Sequence, residues 1–150
     1  MKEAEKKIKK SPYMMNRELS WLKFNERVLN EAGNPKVPLA ERLTFVSIYQ
    51  SNLDEFYRVR VGTLMDQMDV SEVVRENKTN MTSEEQVKAI IRATRELEEK
   101  KTVIYEQLMG ELEPKGIRLI NFNKLSAEEG KILEEYFDRE IAPYLSANIV

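Results

Sequence analysis

The sequence contains neither histidine nor cysteine among its 150 residues. The absence of histidine excludes imidazole acid–base catalysis, a phosphohistidine intermediate and histidine metal ligands within this chain. The absence of cysteine excludes disulfides, thiolate catalysis and thiolate zinc sites, and it fits a reducing compartment. Glycine is also scarce, and none of the five glycines has the spacing of a phosphate-binding loop.

The sequence also lacks a long apolar run and the hydrophobic segment of a signal peptide. We therefore expect no transmembrane segment and a cytoplasmic location. Hydrophobic residues make up 41% of the chain and charged residues 33%, with a net charge of −2. This composition and length predict one folded domain with a core of its own.

The first ten residues are basic, with five Lys and two Glu. A nucleic-acid-binding or membrane-binding arm would need interleaved aromatic residues or a wide apolar face, and this segment has neither. We predict a disordered basic tail over residues 1–12 and no nucleic-acid partner.

Apolar residues at steps of three and four predict a first helix that begins near Ser20, with Asn16 as the alternative cap, and ends at Ala32. Its predicted core stripe comprises Trp21, Phe24, Val28 and Ala32, broadened by Leu22 and Leu29. Gly33 is predicted to follow in the left-handed conformation. The proline-containing segment 34–38 is predicted to be a connector.

A second helix is predicted from Leu39, with an apolar side formed by Leu39, Leu43, Val46 and Ile48 or Tyr49. The polar segment 50–56 is predicted to interrupt it, because Ser51 with Asp54, and Asn52 with Glu55, have the spacing of a capping box. Either two helices are separate, or one long helix is locally broken there.

After a polar loop over residues 70–82, the capping sequence 82–85 opens the most regular pattern of the chain. Apolar positions from Val87 to Leu108 predict a helix of about eight turns. Residues 117–122 alternate as a short strand or an extended segment would, and Ser126 with Glu129 caps a last helix. The predicted fold class is therefore all-α: an antiparallel up-and-down bundle of three long helices plus a short terminal helix.

Catalytic constellations are few in this sequence. The carboxylates at 96–99 and 134–135 lie beside Lys and Arg, so we expect solvated, ion-paired helix faces. A carboxylate-bridged metal site in a bundle would use Glu-x-x-His pairs, and the sequence has none. We therefore predict no catalytic residue and no metal ligand in this chain.

The segment from Ser51 to Glu55 is the best candidate for a ligand site. A helix that began here would offer unpaired backbone N–H groups to an anion, and Asn52 could both donate to and accept from a base edge. Simple helix capping explains the same residues. Trp21 and Phe24 could likewise form a stacking platform for a base, but an aromatic stripe at helical spacing is more often core.

Two stretches resemble the bacterial polyphosphate kinases of the first type. They are Asn-Arg-Glu-Leu-Ser-Trp-Leu-Lys-Phe-Asn-Glu-Arg-Val-Leu-Asn-Glu-Ala at 16–32 and Ser-Asn-Leu-Asp-Glu-Phe-Tyr-Arg-Val-Arg-Val at 51–61. The shorter matches Pro-Leu at 38–39 and Glu-Arg-Leu-Thr-Phe at 41–45 lie between them. Beyond about residue 67 the likeness weakens to pattern, although residues 141–145 resemble the family's crossing into its next domain.

The resemblance implies that residues 13–140 form the N-terminal helical domain of a longer enzyme and that residues 141–150 begin a linker. That family reversibly transfers the terminal phosphoryl group of ATP to inorganic polyphosphate, with ADP as the other nucleotide. Its phosphohistidine and magnesium belong to later domains, so this chain alone should be inactive. The family's N-terminal domain contributes to ATP binding and to dimer contacts, so the full-length enzyme is expected to be a homo-oligomer, and it can lie at the inner face of the membrane.

The resemblance also implies a nucleotide contact for one residue. The family's Asn in Ser-Asn-Leu-Asp-Glu-Phe falls on Asn52, which would then bind ATP, while Trp21, Phe24 and Phe56 would mainly form the core that holds the motif. The alternative is a dimerisation scaffold with no direct nucleotide contact.

Overall fold

Helices provide nearly all the regular structure of residues 13–69 and 75–146, which are the residues that the computed structural model describes. They are α1 (Arg17–Ala32), α2 (Leu39–Phe56), α3 (Gly62–Met68), α4 (Ser83–Leu112) and α5 (Ala127–Tyr136). No strand occurs in these two ranges, so the predicted all-α fold class is confirmed. The contacts divide the chain into two compact units, with the boundary between Lys115 and Gly116.

Helix α1 begins earlier than the main prediction placed it. The Asn16 side chain accepts hydrogen bonds from the backbone N–H groups of Glu18 at 2.9 Å and Leu19 at 3.3 Å. Its own Nδ2 donates to Gln86 Oε1 at 2.9 Å, so the cap is also tied to α4. The predicted start near Ser20 is therefore wrong, and the alternative cap at Asn16 is confirmed.

The buried stripe of α1 differs from the predicted one by a small rotation of the helix. It comprises Glu18, Leu22, Asn25, Leu29 and Ala32. Phe24 is 47% exposed, so its assignment to the core is wrong. An apolar pattern alone cannot find this stripe, because the buried position between Leu22 and Leu29 is occupied by a polar side chain.

The turn after α1 is stabilised by hydrogen bonds from a buried arginine. Gly33 caps the helix as predicted but has φ −82°, so its predicted left-handed conformation is wrong. Arg42, buried at the start of α2, donates through Nε to the Ala32 carbonyl at 2.8 Å and through its guanidinium to Glu111 at 2.8 Å. One side chain thus joins the C-terminal end of α1, the start of α2 and the last turns of α4.

The predicted interruption at residues 50–56 is wrong, because α2 continues without a break to Phe56. The local irregularity comes next, as a π-helical segment at Tyr57–Val61 that leads directly into α3. Neither capping-box pair caps a helix here: Gln50 Nε2 instead donates to Asp54 along the surface of the continuous helix. Polar residues at capping spacing also occur along the exposed side of an uninterrupted helix.

The three long helical segments run alternately up and down. Contacts between α2–α3 and α4 proceed in opposite directions along the two: Arg42 to Glu111, Gln50 to Lys101, Tyr57 to Thr94 and Gln67 to Ser83. Helix α1 is antiparallel to α2, as the pairs Ala32–Arg42 and Asn25–Asn52 show. The predicted antiparallel bundle of three long helices is therefore confirmed.

Helix α4 agrees closely with its prediction. Thr82 and Glu85 form a reciprocal capping box, and the helix spans 30 residues. Its core side carries Ile90, Thr94, Leu97, Ile104, Leu108 and Leu112. The loop before it holds Asn80 at φ 60°, a conformation that Asn tolerates better than most residues.

The unit that begins at Gly116 has no buried residue in its helix. Gly116 has φ 81°, which favours glycine, and residues 117–121 form no strand. Ser126 and Glu129 cap α5 with the predicted box, and Arg118 pairs with Glu129. Its apolar residues are largely exposed, among them Ile132, Tyr136 and Phe137. The predicted domain end at residue 140 stays a prediction.

Candidate functional site at the α1–α2 seam

The side chains of the Ser51–Phe56 motif do not converge on one point. Because α2 is continuous, successive side chains are turned by about 100°. Ser51 and Asp54 face a groove between α2 and α4, Asn52 faces α1, and Phe56 is buried. The predicted cradle of free N–H groups is absent here, since no helix begins within this motif. Any ligand contact must come from individual side chains.

Asn52 is held by a short chain of amide hydrogen bonds. Its Nδ2 donates to Asn25 Oδ1 at 3.0 Å, and Asn25 Nδ2 donates to the backbone carbonyl of Tyr49 at 3.0 Å. Asn25 is completely buried, whereas Asn52 is half-buried. We call these three groups the asparagine relay. It connects the core of the bundle with a side chain that reaches the surface.

One helical turn away, an aromatic pair fixes the same seam. The rings of Trp21 and Phe56 stack with centroids 4.3 Å apart and planes inclined by 9°. Trp21 lies four residues before Asn25 and Phe56 four residues after Asn52, so the stack and the relay are neighbouring contacts of two antiparallel helices. Phe56 is buried and Trp21 half-buried, which confirms that these two rings belong mainly to the core.

Apolar surface is exposed around Asn52. Ile48, which lies one helical turn before Asn52 on the same side of α2, is 42% exposed. Phe24 lies beside Asn25 in sequence, and the guanidinium of Arg27 stands 5.6 Å from its ring centroid. The two helices that carry the relay therefore also carry exposed apolar and cationic side chains, a composition that suits a flat, partly polar ligand.

The two arginines after the motif lie apart. Arg58 makes a loose ion pair with Glu55 at 3.8 Å, and both side chains are exposed. Arg60 lines a groove of about 370 Å³ at the end of the bundle, together with Arg17, Gln67 and Gln86. The structure does not bring Arg60 together with Asn52.

Two further grooves follow the surface of α4. The larger, about 720 Å³, lies between α2 and α4, and the smaller, about 220 Å³, lies between α1 and α4. Both contain ion-paired charges: Lys101 with Glu98 at 2.6 Å, and Lys100 with Glu26 at 3.0 Å. Hydrogen bonds from Lys23 and then Lys100 lower the pKa of Glu26. Asn52 lines neither groove.

No cluster of three or more metal-binding side chains occurs within residues 13–69 and 75–146. In the same ranges, no helix has the length and apolar character needed to cross a bilayer. The predicted basic tail at 1–12 and the last residues of the predicted linker lie outside the described residues.

Sequence reasoning missed Asn25, although a signal was present. Its position is four residues before Leu29 and three after Leu22, on the stripe that turned out to be buried. A polar residue at such a position must find a hydrogen-bond partner inside the protein. Asn25 lies in the first resembling stretch and Asn52 in the second, so the relay joins the two stretches physically.

Several known proteins are similar to this chain in sequence and fold. The family described as the polyphosphate kinase N-terminal domain matches residues 14–120. The polyphosphate kinase of Bacillus cereus is 44% identical over 135 residues, and that of Synechocystis is 40% identical over 140. These matches cover 89% and 93% of this chain, and the chain spans 19% of the length of each relative.

A solved structure agrees with this likeness. The crystal structure of polyphosphate kinase from Porphyromonas gingivalis aligns with a TM-score of 0.59 and 31% identity. The alignment covers 89% of this chain and 20% of that one.

Proposed function

Because this chain belongs to the family of polyphosphate kinase N-terminal domains, we propose that it is the N-terminal domain of an enzyme that reversibly transfers the γ-phosphoryl group of ATP to inorganic polyphosphate. Relatives that carry this name resemble most of the chain, while the chain spans only a fifth of their length. The phosphohistidine and the magnesium ion would belong to the remaining domains, and such an enzyme would act in the cytoplasm. The zero histidine count of the chain supports this division.

Within that enzyme, Asn52 contacts the base of ATP. The observation that carries this proposal is the asparagine relay, which holds a half-buried carboxamide at the surface instead of leaving it free to rotate. The exposed side chains of Phe24 and Ile48 provide apolar surface for a ring beside it. A preformed polar contact surrounded by apolar groups is the usual composition of a small-molecule site.

The contribution of this contact to catalysis would be positioning. Phosphoryl transfer depends on the alignment of the attacking group with the phosphorus and the leaving oxygen. A base held by the N-terminal domain fixes one end of ATP, so the γ-phosphate reaches the distant nucleophile with less loss of freedom. Asn52 itself touches no reacting atom and is a binding residue.

The substitution Asn52→Ala in the full-length kinase tests the proposal. We expect the KM for ATP to rise about fivefold with little change in kcat, because one hydrogen bond to the bound base is lost in the ground state and the transition state alike. Ser51→Ala is the matched control, since Ser51 is the exposed neighbour on the side of α2 that faces α4. Steady-state kinetics at varied ATP concentration provide the measurement.

The competing function is a dimerisation scaffold, and the same exposed apolar residues favour it. If Asn52→Ala leaves the KM for ATP unchanged but shifts the sedimentation coefficient of the enzyme toward the monomer, this surface binds a second copy and not the nucleotide. If the KM rises while the oligomeric state is unchanged, the nucleotide contact is supported.

A further inference from the structure

The direction of the asparagine relay is set by a group that cannot be reversed. A backbone carbonyl only accepts hydrogen bonds, so the group of Asn25 that faces the Tyr49 carbonyl must be its Nδ2 amide. The opposite orientation would place two acceptors against each other in a completely buried position. The carboxamide of Asn25 therefore has one allowed orientation.

This constraint passes to the next residue. With its Nδ2 on Tyr49, Asn25 turns Oδ1 toward Asn52, and an acceptor there requires a donor opposite it. Asn52 consequently uses its Nδ2 toward the core, and its Oδ1 is left for the surface. A carboxamide that is free in solution can present either group, whereas this one presents an acceptor.

We propose that Asn25 is a positioning residue that makes Asn52 present its carbonyl oxygen to the nucleotide, so that the site prefers a purine with an amino group at C6, which is adenine. Adenine carries an N–H donor at the ring position where hypoxanthine and guanine carry an oxygen. The amino group can donate to Asn52 Oδ1, whereas an oxygen at that position would meet a second acceptor. The inference rests on the proposed contact between Asn52 and ATP and adds to it a reason for base selectivity.

The test compares ATP with ITP, which differ at this edge of the base and have the same phosphates. In the full-length kinase we expect kcat/KM to favour ATP by about three- to tenfold, the range that one net hydrogen bond provides. Equal kcat/KM values for the two nucleotides in the unsubstituted enzyme would overturn the inference before any variant is made.

The substitution Asn25→Ala removes the group that orients Asn52. The carboxamide of Asn52 can then rotate by 180° and donate to the oxygen of hypoxanthine, so the preference for ATP over ITP should fall to within twofold. The ratio of kcat/KM for ATP to kcat/KM for ITP is the informative quantity, because a general loosening of the domain would weaken the binding of both nucleotides alike. Retention of the full ATP preference in this variant would overturn the inference.

The substitution Asn25→Asp separates orientation from structural support. As a protonated acid, Asp at this position donates its O–H to the Tyr49 carbonyl and still accepts from Asn52, so the ATP preference should be retained, although a buried acid destabilises the domain. If Asn25 had a merely structural role, Asn25→Asp would lower the ATP preference at least as much as Asn25→Ala does. Loss of the ATP preference in both variants therefore counts against orientation by Asn25.

Failure of the inference can be distinguished from failure of the proposed function. If Asn52→Ala raises the KM for ATP while Asn25→Ala leaves the ratio of ATP to ITP unchanged, Asn52 binds the nucleotide without selecting it, and the inference alone falls. If Asn52→Ala has no effect on the KM for either nucleotide, the proposed contact falls and the inference with it. Circular dichroism melting curves show that each variant is folded at the assay temperature.

Discussion

Two buried polar side chains join α1 to α2, and they differ in where their hydrogen bonds lead. Arg42, at one end of the seam, bonds to the Ala32 carbonyl and to Glu111. Asn25, nearer the middle, bonds to the Tyr49 carbonyl and to Asn52. Both are at most 5% exposed, and both satisfy a backbone carbonyl.

The contrast separates a structural use of buried polarity from the functional use that we propose for Asn25. The partners of Arg42 are the last residue of α1 and a carboxylate near the end of α4, so its bonds hold three helices in register. The bonds of Asn25 end on a half-buried side chain, so they determine which group reaches the surface. Arg42 and Asn25 therefore differ in what their hydrogen bonds fix in place: helix ends for Arg42, and a surface carboxamide for Asn25.

The largest expected effect comes from Arg42→Ala. It removes the donor to the Ala32 carbonyl and the stem that fills the space between three helix ends, so the free energy of unfolding should fall by about 2–3 kcal/mol. Chemical denaturation of the chain, followed by circular dichroism, measures it. We expect a folded Arg42→Ala enzyme to keep the same preference for ATP over ITP.

The control for charge removal is Arg58→Ala, since Arg58 pairs loosely with Glu55 and both are exposed. Its effect on unfolding should stay within about 0.5 kcal/mol. Equal destabilisation by the two substitutions would show that the junction at Arg42 is no more important than a surface ion pair.

A smaller effect is expected at the relay. Asn25→Ala should cost about 1–2 kcal/mol of unfolding free energy and Asn52→Ala less, because Asn52 can bond to water in the unfolded and folded states. The double variant should show a coupling of about 1 kcal/mol. Strictly additive effects would mean that the two amides do not bond in solution, which would remove the physical basis for an oriented Asn52.

Sequence reasoning captured the fold where local chemistry decides it. The capping boxes at Thr82 and Ser126 and the stripe of α4 lie as predicted, because caps and apolar periodicity are properties of neighbouring residues. Sequence reasoning failed where contacts between residues far apart in the sequence determine the structure. The rotation of α1, which exposes Phe24, depends on the hydrogen bonds that Asn25 makes with Tyr49 and Asn52 of α2.

The candidate site shows the same limit. Asn52 was singled out through the resemblance, whereas the local argument for it, a helix start at Ser51–Glu55, is wrong. The relay could not be predicted from spacing, because Asn25 and Asn52 are 27 residues apart in sequence. What the pattern did contain was a polar residue on an apolar stripe, and that observation alone calls for a partner.

The smallest expected effect lies on the other side of α1, where it meets α4 through a surface ion pair. The hydrogen bonds from Lys23 and Lys100 lower the pKa of Glu26 below its ordinary value of 4.5. A depressed folded-state pKa adds stability above the unfolded value, and this stability is lost as the pH falls through the folded one. Glu26→Gln should therefore reduce the free energy of unfolding by about 0.5 kcal/mol at neutral pH and change it little once the pH is below the folded-state pKa.

Denaturation midpoints measured from neutral to acid pH test this, with Glu99→Gln, an exposed carboxylate of α4, as the matched control. If Glu26→Gln lost as much stability at the acid end of this range as at neutral pH, the contribution of Glu26 would be packing and not charge. The α1–α4 contact would then resemble the junction at Arg42 more than a solvated ion pair. The expected pH dependence instead makes it weaker than the connections made by Arg42 and by the relay, because its partners remain accessible to water.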